Sequence, residues 1–244
     1  MLVRPIGIRI CWILALAVGA GPAVATDQPE AMIPFDKLDA AALARVRHVV
    51  PGYTFYHKLR TPYGEFRARR DVFEYLGDHL DLSSILGQPL QVTKFRSERL
   101  PDGSIWADNH AGVRGYLWTL YVRPGERLFI VHGSDRSGDT VEGDAVVLVR
   151  YQETEPGLIH CEVHAFVKVK TFFRRFLAGL FLPLVTGTVN QRFGEVLSIP
   201  VLVSEEATQN PDKILATMDS LPPEDAAKLK EFRALLNHPQ PQRP

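Results

Sequence analysis

The sequence predicts an α+β fold in which an antiparallel sheet wraps around a long C-terminal helix. Three observations carry this reading. Between Leu90 and Lys170, short apolar runs alternate with turn signals at Pro101-Asp102-Gly103, Arg123-Pro124-Gly125-Glu126 and Glu155-Pro156-Gly157. Tight turns between successive strands mark an antiparallel meander. Ahead of it, Arg69 to Gly87 has apolar residues at helical spacing, and after it Thr171 to Leu197 is a long apolar stretch of helical period.

The elements follow in order. Arg4 and Arg9 precede an apolar run from Ile10 to Val18, and Ala23-Val24-Ala25 has the small-x-small pattern of a signal-peptidase site. Residues 1–25 are therefore expected to be a signal peptide, cleaved before Thr26. Gly19, Gly21 and Pro22 break the apolar run, whereas a spanning helix needs about 20 mainly apolar residues. Residues 26–52 form a leader with a short helix. Asp36 is expected to cap that helix, Leu38, Ala42, Val46 and Val49 give its stripe, and Pro51-Gly52 ends it. Tyr53 to Leu59 reads as a strand. Two short helices follow within Arg69 to Gly87, with a break expected at Asp81-Leu82-Ser83-Ser84.

The predicted strands of the meander are Leu90–Leu100, Ser104–Asn109, Val113–Val122, Arg127–His132, Asp144–Gln152 and Leu158–Lys170. Ser134 to Gly143 reads as a polar loop. Pro183 should kink the long helix, and Pro200 is expected to follow its end. Residues 201–244 form a C-terminal extension with two small helices, starting at Asn210-Pro211 and Pro222-Pro223, and a disordered Pro/Gln tail.

Composition narrows the function. The chain has 28 basic and 28 acidic residues, and losing Arg4 and Arg9 with the signal takes the formal charge to −2. That gives no electrostatic case for a nucleic-acid partner. Only Cys161 remains after cleavage, so no intrachain disulfide is possible, and a mature chain of this size needs none.

The last strand places Ile159, Cys161, Val163, Ala165, Val167 and Val169 on one face. His160, Glu162, His164, Lys168 and Lys170 share the other, with Phe166 the exception, so that face is expected to be mostly wet. Leu117, Tyr121, Val147 and Val149 are candidates to line the same interior as Cys161 and Val163. From the long helix, Phe173, Leu177, Leu180 and Leu184 would close it. A filled core leaves the same pattern as a cavity.

This order of elements resembles the helix-grip fold of the START-like (SRPBCC) superfamily, which includes polyketide cyclases and coenzyme Q-binding proteins. The resemblance spans Tyr53 to Leu197, within a domain of residues 53–200. It is carried by Arg69-Arg70-Asp71-Val72-Phe73-Glu74-Tyr75-Leu76, by the hairpin of Asp144–Gln152 and Leu158–Lys170, and by Phe172 to Leu197. It implies a deep apolar cavity between sheet and long helix, and no particular activity.

Reactive constellations are weak. His160-x-Glu162-x-His164 puts three ligand types on one strand face, but the outer two stand about 13 Å apart. Metal ligands must converge within about 2.0–2.2 Å of the ion, so no metal site is expected. Asp135, Asp139, Glu142 and Asp144 lack the spacing of a twelve-residue calcium loop. His132, Ser134 and Asp135 lie too close along the chain to imply a triad. His110, Tyr116 and Tyr121 remain candidate acids or bases if they face the cavity. Near the middle of the long helix, Ala178, Leu182 and Val185 lie opposite the main apolar face, so burial or peripheral membrane contact is expected there.

The expected function is a periplasmic or secreted binder or carrier of a hydrophobic small molecule or lipid, with no cofactor. An enzyme acting on a lipid-like substrate on the same scaffold, and an envelope interaction protein without ligand, are the alternatives.

Overall fold

The computed structural model describes residues 29–53, 55–59, 64–108, 110, 113–135, 142–170, 196 and 198–238. Among the described residues, eight strands form one antiparallel sheet: β1 (Phe55–Leu59), β2 (Glu65–Arg67), β3 (Arg96–Arg99), β4 (Ile105–Asp108), β5 (Val113–Arg123), β6 (Glu126–Asp135), β7 (Glu142–Glu155) and β8 (Leu158–Val169). Their order is β1-β8-β7-β6-β5-β4-β3, with β2 also on β8. The meander from β3 to β8 is the predicted one, and β1 closes on β8 in register, Phe55 opposite Val167 and Leu59 opposite Val163. Gly125 and Gly157, with φ of 81° and 75°, supply the left-handed turn residues of the β5–β6 and β7–β8 hairpins.

Around the sheet lie α1 (Ala40–Val49), α2 (Arg70–Asp78), α3 (Leu80–Gly87), α4 (198–209), α5 (Pro211–Asp219), α6 (Pro223–Lys228) and α7 (Lys230–Asn237). The fold class is α+β helix-grip, with C-terminal helix α4 seated on one face of the sheet. Val201 of α4 joins Phe129, Val147, Cys161 and Val163 in a single buried cluster, which defines the inner face.

The outer face departs from expectation. Leu128, Ile130, Val146, Leu148 and Phe166 are buried there beneath Val46 and Val49 of α1. The middle strands are apolar at both alternating positions, so both faces need cover, and α1 with the leader supplies it. His164, expected in water, is 2% exposed. The wetter residues of this face lie toward its ends, His160 and Glu162 at one and Lys168, with Lys170 just past the strand, at the other.

Several boundaries also shift. Asp39, not Asp36, caps α1, accepting a 2.8 Å hydrogen bond from the Ala42 amide. The break between α2 and α3 falls at His79. Ser83 and Ser84 lie inside α3; the Ser84 hydroxyl donates to the Leu80 carbonyl of the same helix and that of Ser83 reaches back to the Leu76 carbonyl of α2, so both are satisfied without a break there. β3 begins only at Arg96, because Val92 and Thr93 fold back to donate to the Gly87 carbonyl. β2 was not predicted.

Pro200 sits within α4 rather than beyond the helix end. Its neighbours Ile199, Val201, Val203 and Ala207 are buried. Three small helices follow where two were expected, α6 and α7 being separated at Leu229. Ile214, Met218, Leu229 and Phe232 are buried together with Val72, Leu76 and Leu86 of α2 and α3.

Candidate ligand site

Side-chain alternation along β6, β7 and β8 builds the inner wall. Arg127 and Phe129 of β6, Val149 and Tyr151 of β7, and Cys161 and Val163 of β8 all point inward. Phe73 and Gly77 from α2, Leu80 at the start of α3, and Pro200-Val201 from α4 face them. These residues line a partly open cavity of about 30 Å³. A second cavity, also about 30 Å³, lies toward the other end of the sheet, bounded by Ser97, Ile105 and Leu117 of β3–β5, Ser84 of α3 and Ile199 of α4. Leu80 lines both.

Two residues of the first cavity's wall, Arg127 and Tyr151, belong to a polar network that lies behind its apolar lining. The Arg127 guanidinium donates two hydrogen bonds to the Asp78 carboxylate, at 2.6 and 2.9 Å, and a third to the Tyr151 hydroxyl. Tyr151 in turn donates to Glu74 at 3.1 Å, and Arg70 pairs with Glu74 at 2.9 Å. Burial pushes the Tyr151 hydroxyl up to about 12, against the opposing pull of Arg127, so it stays protonated. Burial works against the Arg127 charge, but the hydrogen bonds and charge of Asp78 outweigh it. Two cations and two carboxylates thus compensate one another.

Of the predicted lining residues, Val147, Val149, Cys161 and Val163 come together in the inner cluster, and Leu117 packs against it. Tyr121 does not. The pairing of β5 with β6 shifts between Thr119 and Tyr121, which turns Tyr121 to the outer face beside Leu128. Phe173, Leu177, Leu180 and Leu184 lie outside the described residues, as do most of the predicted long helix and its candidate membrane-contact zone. Sequence reasoning missed Arg127, Tyr151, Phe73, Gly77, Leu80 and Phe129. The period of two that found Val149 reaches Tyr151 one step further, and a charged residue entering the apolar run of β6 was the available signal for Arg127.

The reactive candidates lie elsewhere. Tyr116 belongs to the outer face of β5, is 40% exposed and stacks on Trp118. His110 is exposed, with φ of 53°. His132 Nδ1 donates to the Asp144 carboxylate on the neighbouring strand at 2.9 Å. Glu162 is held by Lys58 at 2.7 Å, and among the described residues no group of three or more potential ligands is placed to hold a metal ion. Also among them, no helix is long and apolar enough to cross a membrane.

No protein-family model matches the chain, and no curated protein matches it. Solved structures similar to it include a START superfamily protein from Mycobacterium smegmatis, at 14% identity and a TM-score of 0.33, covering 57% of this chain and 94% of that one. Truncated norcoclaurine synthase from Thalictrum flavum is similar at 17% identity and a TM-score of 0.40, covering 62% and 92%. A conserved protein from Geobacillus kaustophilus is similar at 14% identity and a TM-score of 0.36, covering 55% and 90%.

Proposed function

We propose that this is an exported protein that binds a hydrophobic small molecule or lipid between the inner face of the sheet and helices α2, α3 and α4. The observation that carries the reading is the pair of adjacent apolar cavities beneath α4, one of them backed by a compensated polar network. A site of apolar walls with a few placed polar groups suits such a ligand. Each cavity holds no more than a few water-sized groups, so uptake requires displacement of a wall. Export rests on Arg4, Arg9 and the Ala23-Val24-Ala25 site, and places the working protein in the periplasm or outside the cell.

The test is organic extraction of the purified mature protein with native mass spectrometry, followed by displacement of a bound fluorescent hydrophobic probe. A co-purified apolar molecule, or probe binding abolished in Val163→Trp, supports the reading. Absence of both extractable ligand and probe binding overturns it in favour of a packed core.

A further inference from the structure

Leu80 is the one described residue common to both cavities. The first cavity lies against β6, β7 and β8 through Phe129, Val149 and Val163. The second lies against β3, β4 and β5 through Ser97, Ile105 and Leu117. They therefore sit side by side along the inner face, beneath successive residues of α4, Ile199 on one side and Pro200-Val201 on the other. Leu80 owes its position to the break at His79. The chain leaves α2 there with φ of −126° and ψ of 62°, and α3 restarts at once with Leu80 turned inward and 9% exposed. Its backbone is tied down, since the Leu80 carbonyl accepts hydrogen bonds from Ser84 at 3.1 Å and Ser97 at 3.3 Å.

The polar network adds a second constraint. Asp78 already compensates the Arg127 charge with two hydrogen bonds, and Glu74 stands behind Tyr151. A carboxylate brought here would meet two acidic neighbours and a guanidinium that already gives four of its five N–H groups to Asp78, Tyr151 and the Arg123 carbonyl. A neutral oxygen needs only what is left, the one remaining guanidinium N–H and the second lone pair of the Tyr151 hydroxyl, whose own proton goes to Glu74.

We infer that Leu80 is the partition that sets ligand length in this site, and that the ligand is an elongated apolar molecule bearing one neutral oxygen, hydroxyl or carbonyl, held at Arg127 and Tyr151. This rests on the binding reading above. Rotation of one leucine side chain joins the two cavities, so a chain of sufficient length threads from Arg127 and Tyr151 past α3 toward Ile105 and Leu117.

The experiment is calorimetric titration of wild type, Leu80→Ala, Leu80→Val and Tyr151→Phe with a series of straight-chain primary alcohols and the matching carboxylates, each variant first checked by circular dichroism. Leu80→Ala should move the preferred chain length up by several carbons, and Leu80→Val by fewer. If Leu80→Ala does not fold, Leu80→Val carries the test. Tyr151→Phe should weaken alcohols about 2- to 10-fold, the loss expected for one hydrogen bond, without moving the preferred length. Alcohol binding with an identical optimum in wild type and both Leu80 variants overturns the partition while leaving the binding reading intact. Carboxylates binding more tightly than alcohols overturns the head-group assignment. If wild type and variants bind no member of either series, the inference fails; the binding reading fails with it only if extraction and probe displacement are also negative.

Discussion

Arg127 grips Asp78 with two hydrogen bonds, at 2.6 and 2.9 Å, while its own side chain is 6% exposed and that of Asp78 is 33% exposed. The pair fastens the end of α2 to β6 and so fixes one wall of the cavity. Asp78→Ala would leave the guanidinium buried and uncompensated. Breaking a buried pair in this way costs about 3–5 kcal/mol, and the partial exposure of Asp78 puts the expected loss at the lower end. Asp78→Asn should cost less, since it keeps an acceptor. The double replacement Arg127→Met with Asp78→Ala should recover part of the stability. Urea denaturation reads all three, and an Asp78→Ala midpoint equal to wild type would refute the role given to the pair.

His164 predicts a pH dependence. It is buried, its Nδ1 lies 2.7 Å from the Tyr56 hydroxyl, and its Nε2 has no hydrogen-bond partner, with Glu162 at 3.7 Å. Burial holds its pKa below the ordinary 6.5, helped by Lys58 and Arg150 and opposed by Glu162. The folded state therefore binds fewer protons than the unfolded chain just below pH 6.5. The stabilising contribution is complete above that value and is lost as the pH falls toward and through the folded pKa. Urea midpoints from pH 5 to 8 should decline on the acid side in wild type and decline less in His164→Phe. Equal slopes in the two proteins would remove His164 as the cause.

Cys161 should be inert while the protein is folded. Burial, with a smaller contribution from Glu162, pushes its thiol up to about 12, and the thiolate is the reactive form. Maleimide labelling should be slow in buffer and fast in denaturant. Similar rates in both would mean that the inner face of β8 opens readily to solvent.

The inner wall was legible because β8 alternates without interruption from Ile159 to Val169, and Val147 and Val149 follow the same period. Tyr121 was misplaced because a bulge resets the alternation without leaving a mark in residue type. The outer cover was signalled by Phe166, an apolar residue on a face otherwise read as wet, and by Leu128, Ile130, Val146 and Leu148, which make β6 and β7 apolar at both alternating positions. The stripe of Ala42, Val46 and Val49 was legible, but sequence alone does not say which surface a helix covers. Asp36 and Asp39 are equally good caps by residue type, and the choice depends on where the leader docks. Leu80 was invisible as a site residue, since its role arises from contacts between segments far apart in the chain, and Arg127 was marked only by its charge in the apolar run of β6.

The cover on the outer face yields the last prediction. Val46 is fully buried in one cluster with Leu128, Leu148 and Phe166, while Arg47, one residue on, is exposed. Val46→Asp forfeits about 1.5–3 kcal/mol of apolar burial, and the carboxylate would be desolvated if α1 stayed in place. The cheaper response is for α1 to leave the sheet, uncovering Leu148 and Phe166. Trypsin should then cut at Arg45 and Arg47 faster than in wild type, and the variant should self-associate in sedimentation, as exposed apolar patches do. Arg47→Asp, on the solvent side of the same helix, should shift stability by no more than about 0.5 kcal/mol. Were Val46→Asp to resist trypsin like wild type and remain monomeric, α1 would not be what keeps the outer face dry.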